Sequence, residues 1–416
     1  MRDKLANNRV LKFLFLALIF LATFSYAMFQ GGFVSWFLFY SFLPFALYSL
    51  LLLFYPLNDV RLTRTISHSE LTDGQELTVT IQVDRKSHFP LFYLVVEDVL
   101  PEQLVPYAHE TSSRYQKRSL ALLLPMFRKK LSFSYSIIPI PRGEYDLKEL
   151  KCKVGDMFGF VRHEKTIKHV ESIYVLPTYQ DIYWSPYNQQ LSGTRPSPKK
   201  ADMDYTTAVS VRDYVPGDKL SWIDWKATAR GSKLLTKQFE QQISQDFMVF
   251  LDREKHHYGR EESPLFEKAV KLAASVTNAA LKQNAMIGLV SSGKDHSVLS
   301  INGGKAQRRR VFHHLARVQA NGDTSFDTVV KKEAHHFPAG TGVLIISPSL
   351  EGAFTSTLKQ LVAKKVQVEF FYVTEHLTLE DQAELNDLSQ YGIKTHAIAG
   401  ESFNEEIRGG RKRATR

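Results

Sequence analysis

A single cysteine, Cys152, in 416 residues excludes an intramolecular disulfide and any multi-cysteine metal site. The Gly-x-x-x-x-Gly-Lys-Ser/Thr spacing of a phosphate loop is also missing; Ser291-Ser292-Gly293-Lys294 and Asn302-Gly303-Gly304-Lys305 carry only the chemistry of strand turns. Charge of one sign is scarce where a nucleic-acid binder would need it. The formal charge is +10, but Arg2, Lys4, Arg9 and Lys12 open the chain against Asp3 alone, and Arg408, Arg411, Lys412, Arg413 and Arg416 close it with no acid. Residues 60–407 are left near +3, far from the clustered basic surface that phosphate contacts require. A hydrophobic share of 44% rules out a disordered chain and leaves room for several domains.

From Phe13 to Asn58 no residue is charged, and the run is broken only by Gln30-Gly31-Gly32. Two helical spans, residues 13–29 and 33–55, would reach about 25 and 34 Å, which brackets the hydrocarbon thickness of a bilayer. Arg2, Lys4, Arg9 and Lys12 precede the pair, Arg61 and Arg64 follow it, and the turn is uncharged. The positive-inside rule then puts both flanks, both termini and the soluble domains in the cytoplasm of a multi-pass cell-membrane protein. A cleaved signal peptide is the competing reading, since Ser25-Tyr26-Ala27 follows a basic start and an apolar core.

Between residues 60 and 190 alternation predominates. Leu77–Val83 and Leu131–Ile137 place apolar side chains on one face of a strand. Asp73-Gly74, Pro101, Pro125, Pro141-Arg142-Gly143 and Gly155-Asp156 punctuate the runs, predicting an all-β antiparallel sandwich. Arg114, Lys117, Arg118, Arg128, Lys129 and Lys130 are either ordinary solvated positions or a basic surface for anionic headgroups.

The densest mixture of charge and aromatics lies at residues 209–240, within a linker and motif region spanning 191–242. Pro216-Gly217 makes a turn, Asp218 is placed to cap a short helix, and Gly231 to end it. Trp222 and Trp225, three apart, would share a helical face, with Lys233–Phe239 returning as a strand. Arg212, Asp213, Asp218, Asp224, Lys226 and Arg230 then gather around two tryptophans. Such a set is either a partner-docking surface, because Trp and Arg supply much of the energy at interfaces, or an ion-paired clamp between neighbouring domains.

Residues 243–400 alternate strands and amphipathic helices. Strands are predicted at Phe247–Leu251, Met286–Val290, Val298–Ile301, Val343–Ile346, Val366–Val373 and Ile393–Ile398. One helix starts at Ser263-Pro264, and others lie near 305–319, 352–364 and 378–391. That order implies an α/β domain with a mainly parallel sheet covered on both faces and ligands at the carboxyl ends of its strands. Residues 401–416 read as a basic flexible tail.

Several segments resemble markers of bacterial membrane proteins of the domain-of-unknown-function 58 family. They are Pro90-Leu91, Val95–Pro101, Pro141-Arg142-Gly143-Glu144-Tyr145 and Asp156-Met157-Phe158-Gly159-Phe160. The central motif is similar to that family's signature through Arg212-Asp213-Tyr214, Gly217-Asp218 and Trp225-Lys226-Ala227-Thr228-Ala229-Arg230. The resemblance implies a hairpin over residues 1–58, a β-sandwich over 60–190 and a von Willebrand factor A-like domain over 243–400. It also implies pairing with MoxR-type AAA ATPases and transglutaminase-like membrane proteins, and a chaperone-like or envelope-linked assembly. It brings no established biochemical activity.

A metal-binding domain of that type carries Asp-x-Ser-x-Ser, with Thr and Asp from later loops. Here Asp252 holds the first place, Glu254 and His256 replace the serines, Thr324 is the threonine candidate, and Ser347-Pro348 stands where Asp is expected. Magnesium demands near-octahedral oxygen coordination, so the expectation is no cofactor and no metal, with Asp252, Glu254 and Thr324 as degenerate candidates. The paired histidines His256-His257, His313-His314 and His335-His336 suit a metal poorly, because neighbours point in different directions. The resulting expectation is a non-enzymatic, membrane-anchored interaction protein. The alternative is a metal-dependent hydrolase built around Asp252.

Overall fold

A computed structural model describes residues 9–110, 119–184, 208–215, 220–230, 233–239, 246–259, 263–334, 336 and 341–407. The chain divides into two compact units, Met1–Thr178 and Tyr179–Arg416.

The first unit begins with two helices, α1 (Arg9–Gln30) and α2 (Phe33–Leu53), joined at Gly31, whose φ of +49° is the left-handed conformation that a glycine adopts without strain. Over Phe13–Gln30 and Phe33–Leu53 both are long and apolar enough to cross a membrane. Nine strands follow: β1 (Val60–Ile66), β2 (Glu70–Thr72), β3 (Leu77–Arg85), β4 (Tyr93–Val99), β5 (Ala108–Glu110), β6 (Leu120–Leu123), β7 (Lys130–Ile137), β8 (Gly143–Gly155) and β9 (Arg162–Leu176). They form one sheet in the order β1-β3-β7-β5 and a second in the order β2-β9-β8-β4-β6. Every pairing is antiparallel except the short β2–β9 contact, which is parallel.

Alternation explains the core. Leu77, Val79, Ile81 and Val83 of β3 are buried, as are Val96 of β4 and Leu150, Cys152 and Val154 of β8, and all of them join one apolar cluster. Leu52, Leu53 and Tyr55 at the end of α2 enter the same cluster, so the last turns of this helix are part of the β-rich body. A polar clasp crosses between the sheets. Arg64 of β1 grips Asp98 of β4 at 2.9 and 2.5 Å, and Tyr135 of β7 donates its hydroxyl to the same carboxylate at 2.7 Å. Remaining guanidinium hydrogens reach the carbonyls of Leu147 and His169, so the buried charges are paired and solvated by the fold.

The second unit starts with a strap, residues 179–184. The Gln180 amide donates to Ser275, Asp181 meets Lys282 at 2.6 Å, and the Trp184 ring stands edge-on to Phe247 at 5.1 Å. The boundary expected at residue 190 falls earlier, at Thr178, and Trp184 finds its apolar partner Phe247 in the second unit. A two-stranded ribbon, β10 (Ala208–Asp213) and β11 (Leu235–Phe239), frames the central motif. Within it lies the one-turn helix α3 (Trp225–Thr228).

A six-stranded sheet follows, built from β12 (Asp246–Leu251), β13 (Met286–Ser292), β14 (His296–Asn302), β15 (Gly342–Ser347), β16 (Gln367–Val373) and β17 (Lys394–Ile398). Its order is β14-β13-β12-β15-β16-β17, parallel throughout except for the antiparallel edge strand β14. Between the strands run α4 (Lys255–Tyr258), α5 (Pro264–Lys282), α6 (Gly304–Arg317), α7 (Phe326–Ala334), α8 (Gly352–Ala363) and α9 (Leu379–Gln390). Met248 and Phe250 share a cluster with α7, α8 and α9. Phe247, Val249 and Leu251, on the other face by strand alternation, are buried too, so the sheet is covered on both sides. Beyond β17, Phe403 and Ile407 are also buried. The start of the expected tail is thus packed, while residues 408–416 lie outside the described residues.

Candidate functional site

The order of the six-stranded sheet reverses direction at β12, whose neighbours β13 and β15 lead to opposite edges. In open α/β sheets the crevice beyond the carboxyl ends of strands at such a point is where ligands bind. Asp252 follows β12 directly and Ser347 ends β15, so both sit at that crevice.

Asp252 is fully buried, and each of its oxygens is engaged. Oδ1 accepts the Glu254 amide at 2.9 Å; Oδ2 accepts the Ser347 hydroxyl at 2.7 Å and lies 2.7 Å from His257 Nδ1. Glu254 turns its carboxylate to the Phe326 amide at 2.8 Å, the first residue of α7, where a negative charge complements the helix terminus. Burial alone would lower the His257 pKa. The hydrogen bond and charge of Asp252, with the charges of Glu254 and Glu351, outweigh it and hold the imidazole above its usual value. Beside this cluster the buried Arg253 reaches the Gln319 carbonyl at 2.8 Å, Asn321 at 3.0 Å and Ser291 at 3.3 Å, tying the ends of β12 and β13 to the 319–322 loop. A side chain at Gly293 would collide with that guanidinium, which is why glycine occupies the turn.

Of the degenerate candidates, Asp252 and Glu254 come together and Thr324 does not. His256 is exposed on the one-turn α4, and Thr324 is exposed on its loop. His257, one position on, is the residue that joins Asp252 and Glu254, with one ligand atom from each lying within 4.8 Å of the others. Two carboxylates and an imidazole are a mixed oxygen–nitrogen set, suited to a borderline transition cation better than to magnesium. The other histidine pairs go elsewhere. His314 is partly buried, its pKa lowered to about 4 by burial and by the charges of Arg253 and Arg317. His336 is exposed, and His335 lies outside the described residues.

The central motif builds a different surface. Asp224 caps α3 by accepting the amides of Lys226 and Ala227, both at 3.0 Å. The Ala227 amide above all, then that of Lys226 and the charges of Lys237 and Lys226, hold the carboxyl below its ordinary pKa. The cap is therefore Asp224; Asp218 lies outside the described residues, as do Gly217 and Gly231. Trp222 ends the 3-10 turn Leu220–Trp222 and is half-buried, whereas Trp225 opens α3 and is 67% exposed. They do not share a helical face, because the chain turns between them at Ile223, buried and bridged to Thr236 of β11.

The motif leaves Val211, Val215, Leu220 and Leu234 exposed as well. The Tyr214 amide binds the Leu234 carbonyl at 2.9 Å. Arg212 reaches the carbonyl of Asp213 at 3.2 Å, and Asp213 lies 3.9 Å from Lys233, an exposed pair of the kind worth little. Lys226 and Arg230 are exposed, and the Arg230 amide closes the turn on Ala227. The motif therefore exposes one tryptophan and four aliphatic side chains along with Lys226 and Arg230.

A family model described as "Protein of unknown function DUF58" matches residues 210–385. The chain is 37% identical over 306 residues to the uncharacterized protein YeaD of Bacillus subtilis (strain 168), covering 73% of this chain and 74% of that one. Among solved structures, the complex of zinc 2-glycoprotein with prolactin inducible protein from human seminal plasma aligns over 27% of this chain and 92% of its own, at 7% identity and TM-score 0.20. A cohesin module of a Clostridium perfringens ATCC13124 family 33 glycoside hydrolase aligns over 28% and 97%, at 12% identity and TM-score 0.19. Scores this low bear on neither fold nor function. The chain belongs to the DUF58 family.

Proposed function

We propose that this protein is a membrane-anchored, non-enzymatic interaction protein whose central motif is its docking surface. The observation that carries the reading is Trp225, 67% exposed on a helical turn that Asp224 holds in place, with four exposed aliphatic residues in the same motif. Leaving an indole in water is costly for the free protein, and tryptophan and arginine are the residues that interfaces use as anchors. The two apolar helices supply the anchor, and the basic residues flanking them favour an orientation with both termini and both soluble units on the cytoplasmic face. The strand order and antiparallel edge of the second unit support a von Willebrand factor A-like domain, and the two sheets of the first unit support a β-sandwich. The partners suggested by the family resemblance are a MoxR-type AAA ATPase and a transglutaminase-like membrane protein, in a chaperone-like or envelope-linked assembly. Crosslinking in native membranes followed by mass spectrometry tests this: Trp225→Ala loses the crosslinked partner while the protein stays folded.

A second reading, metal-assisted hydrolysis, is favoured by the approach of Asp252, Glu254 and His257. These residues would hold a transition cation through a neutral imidazole, in competition with the 2.7 Å contact between His257 Nδ1 and Asp252. Elemental analysis of the purified protein, with calorimetry of zinc binding to the parent and to Asp252→Ala, decides it. Zinc bound by the parent and lost in the variant supports the hydrolase reading, and binding by neither removes it.

A further inference from the structure

The first unit presents two apolar loop tips beside the helical hairpin. One is the turn between β8 and β9. Asp156 fastens it by accepting Ser49 Oγ of α2 at 2.9 Å and the Val161 amide at 2.8 Å, while His163 Nε2 lies 3.1 Å from the Leu52 carbonyl. Gly159, with φ of +75°, permits the reversal. The Phe158 ring lies 5.4 Å from Phe45 and 6.4 Å from Phe42 of α2, and Phe160 lies 6.0 Å from Phe15 of α1. Met157 and Phe158 nevertheless remain exposed.

The second tip is the turn between β6 and β7, where Leu124, Met126 and Phe127 are exposed and are followed by exposed Arg128, Lys129 and Lys130. It belongs to the same end of the unit. Met126 and Leu91 exchange backbone hydrogen bonds at 2.9 and 3.1 Å, and nearby Phe89 stacks on Tyr48 of α2 at 5.8 Å.

Helix length gives these tips a meaning. The 21 residues of α2 would reach about 31 Å, close to the roughly 30 Å hydrocarbon core of a bilayer. Yet Ala46, Ser49, Leu52 and Leu53 bury one face of its last turns against the body, while Leu47 and Leu51 stay exposed on the other, so the stretch preceding the buried turns is Phe33–Phe45, about 20 Å at the helical rise. If those packed turns stood clear of the membrane with the body, α2 would be too short by about 10 Å. That deficit closes when the apolar tips sink into the boundary between headgroups and acyl chains, where interfacial segments lie about 5–10 Å deep.

We propose that this end of the first unit is a membrane seat for an anionic phospholipid surface. Met126, Phe127, Met157 and Phe158 enter the lipid boundary, and Arg128, Lys129 and Lys130 meet the headgroup phosphates. The proposal rests on the hairpin being a membrane anchor, and its test separates the two.

Single cysteines are placed in the full-length chain at four comparably exposed positions: Phe37 of α2 (61%), Phe127 (64%), Met157 (62%) and, as control, Val170 (67%). Val170 stands eight residues along β9 from Arg162, about 26 Å away at 3.3 Å per residue. Cys152 is buried and stays unlabelled. Each protein, carrying an environment-sensitive fluorophore, is reconstituted into vesicles of phosphatidylcholine and phosphatidylglycerol containing doxyl-labelled lipid. Labels at 127 and 157 are expected to be quenched at least twofold more than the label at 170 by shallow quencher, with 37 answering most to deep quencher. Quenching at 37 with 127 and 157 no different from 170 overturns the seat and leaves the anchor. No quenching at 37 overturns the anchor. In the Arg128→Gln, Lys129→Gln, Lys130→Gln background, quenching at 127 falls in vesicles containing phosphatidylglycerol and is unchanged in pure phosphatidylcholine; no fall with phosphatidylglycerol overturns the anionic preference.

Discussion

Two tryptophans of the second unit show how one side chain serves opposite purposes. Trp184 is 1% exposed, edge-on to Phe247, and ends a strap in which Gln180 and Asp181 bond to α5 and to the segment after β17. Trp225 is 67% exposed on a turn whose backbone is fixed from within by Asp224. Residues 179–184 act as a clamp within their own unit, through Gln180, Asp181 and Trp184. A tryptophan used for folding is surrounded by this chain, whereas in the proposed reading one held in water is the anchor offered to a partner.

The comparison breaks most readily on its buried side. Trp184→Ala is expected to cost about 3–5 kcal/mol, as for other fully buried large aromatics, read as a lowered unfolding midpoint in denaturant. In the first unit Asp98→Ala leaves Arg64 buried without its partner, with a loss of about 3–5 kcal/mol; its failure to destabilise would mean that the clasp between the sheets is dispensable.

A smaller effect is expected from acid. Burial would raise the Glu369 pKa, but the hydrogen bond and charge of His396, with Lys394, outweigh it and hold the carboxyl below its usual value. A depressed folded pKa contributes stability that is present above the unfolded value of about 4.3 and is lost as pH falls through the lower folded value. Glu369→Gln should flatten that part of the pH–stability curve. Smaller still is the response of Cys152, whose thiol burial pushes up to about 11, against a weaker opposing pull from Lys165. At pH 8 it should react with a thiol reagent only after denaturant is added.

Much of this division could be read from residue order, and the exceptions have physical causes. The runs Phe247–Leu251 and Val343–Ile346 are central parallel strands because both their faces are buried, which leaves near-continuous apolar sequence. The alternation of Leu77–Val83 likewise appears as a half-buried strand. The strap escaped because Ile182 and Trp184 lie in a short segment without periodicity, and only tertiary contact shows that Trp184 packs against Phe247. Nine-residue α7 is too short for a clear helical period. At the crevice, Asp252 follows from its place after a strand, but His257 replaces His256 because α4 rotates each successive side chain by about 100°. Asp224 is the working cap since the chain bends at Ile223, which neither charge nor spacing reveals.

The central claim is that Trp225 faces a partner. The most direct measurement pairs equilibrium unfolding of Trp225→Ala with crosslinking of the same variant in native membranes. An unfolding free energy within about 0.5 kcal/mol of the parent, together with loss of the crosslinked partner, is the predicted result. A large loss of stability, or a partner recovered undiminished, would contradict it.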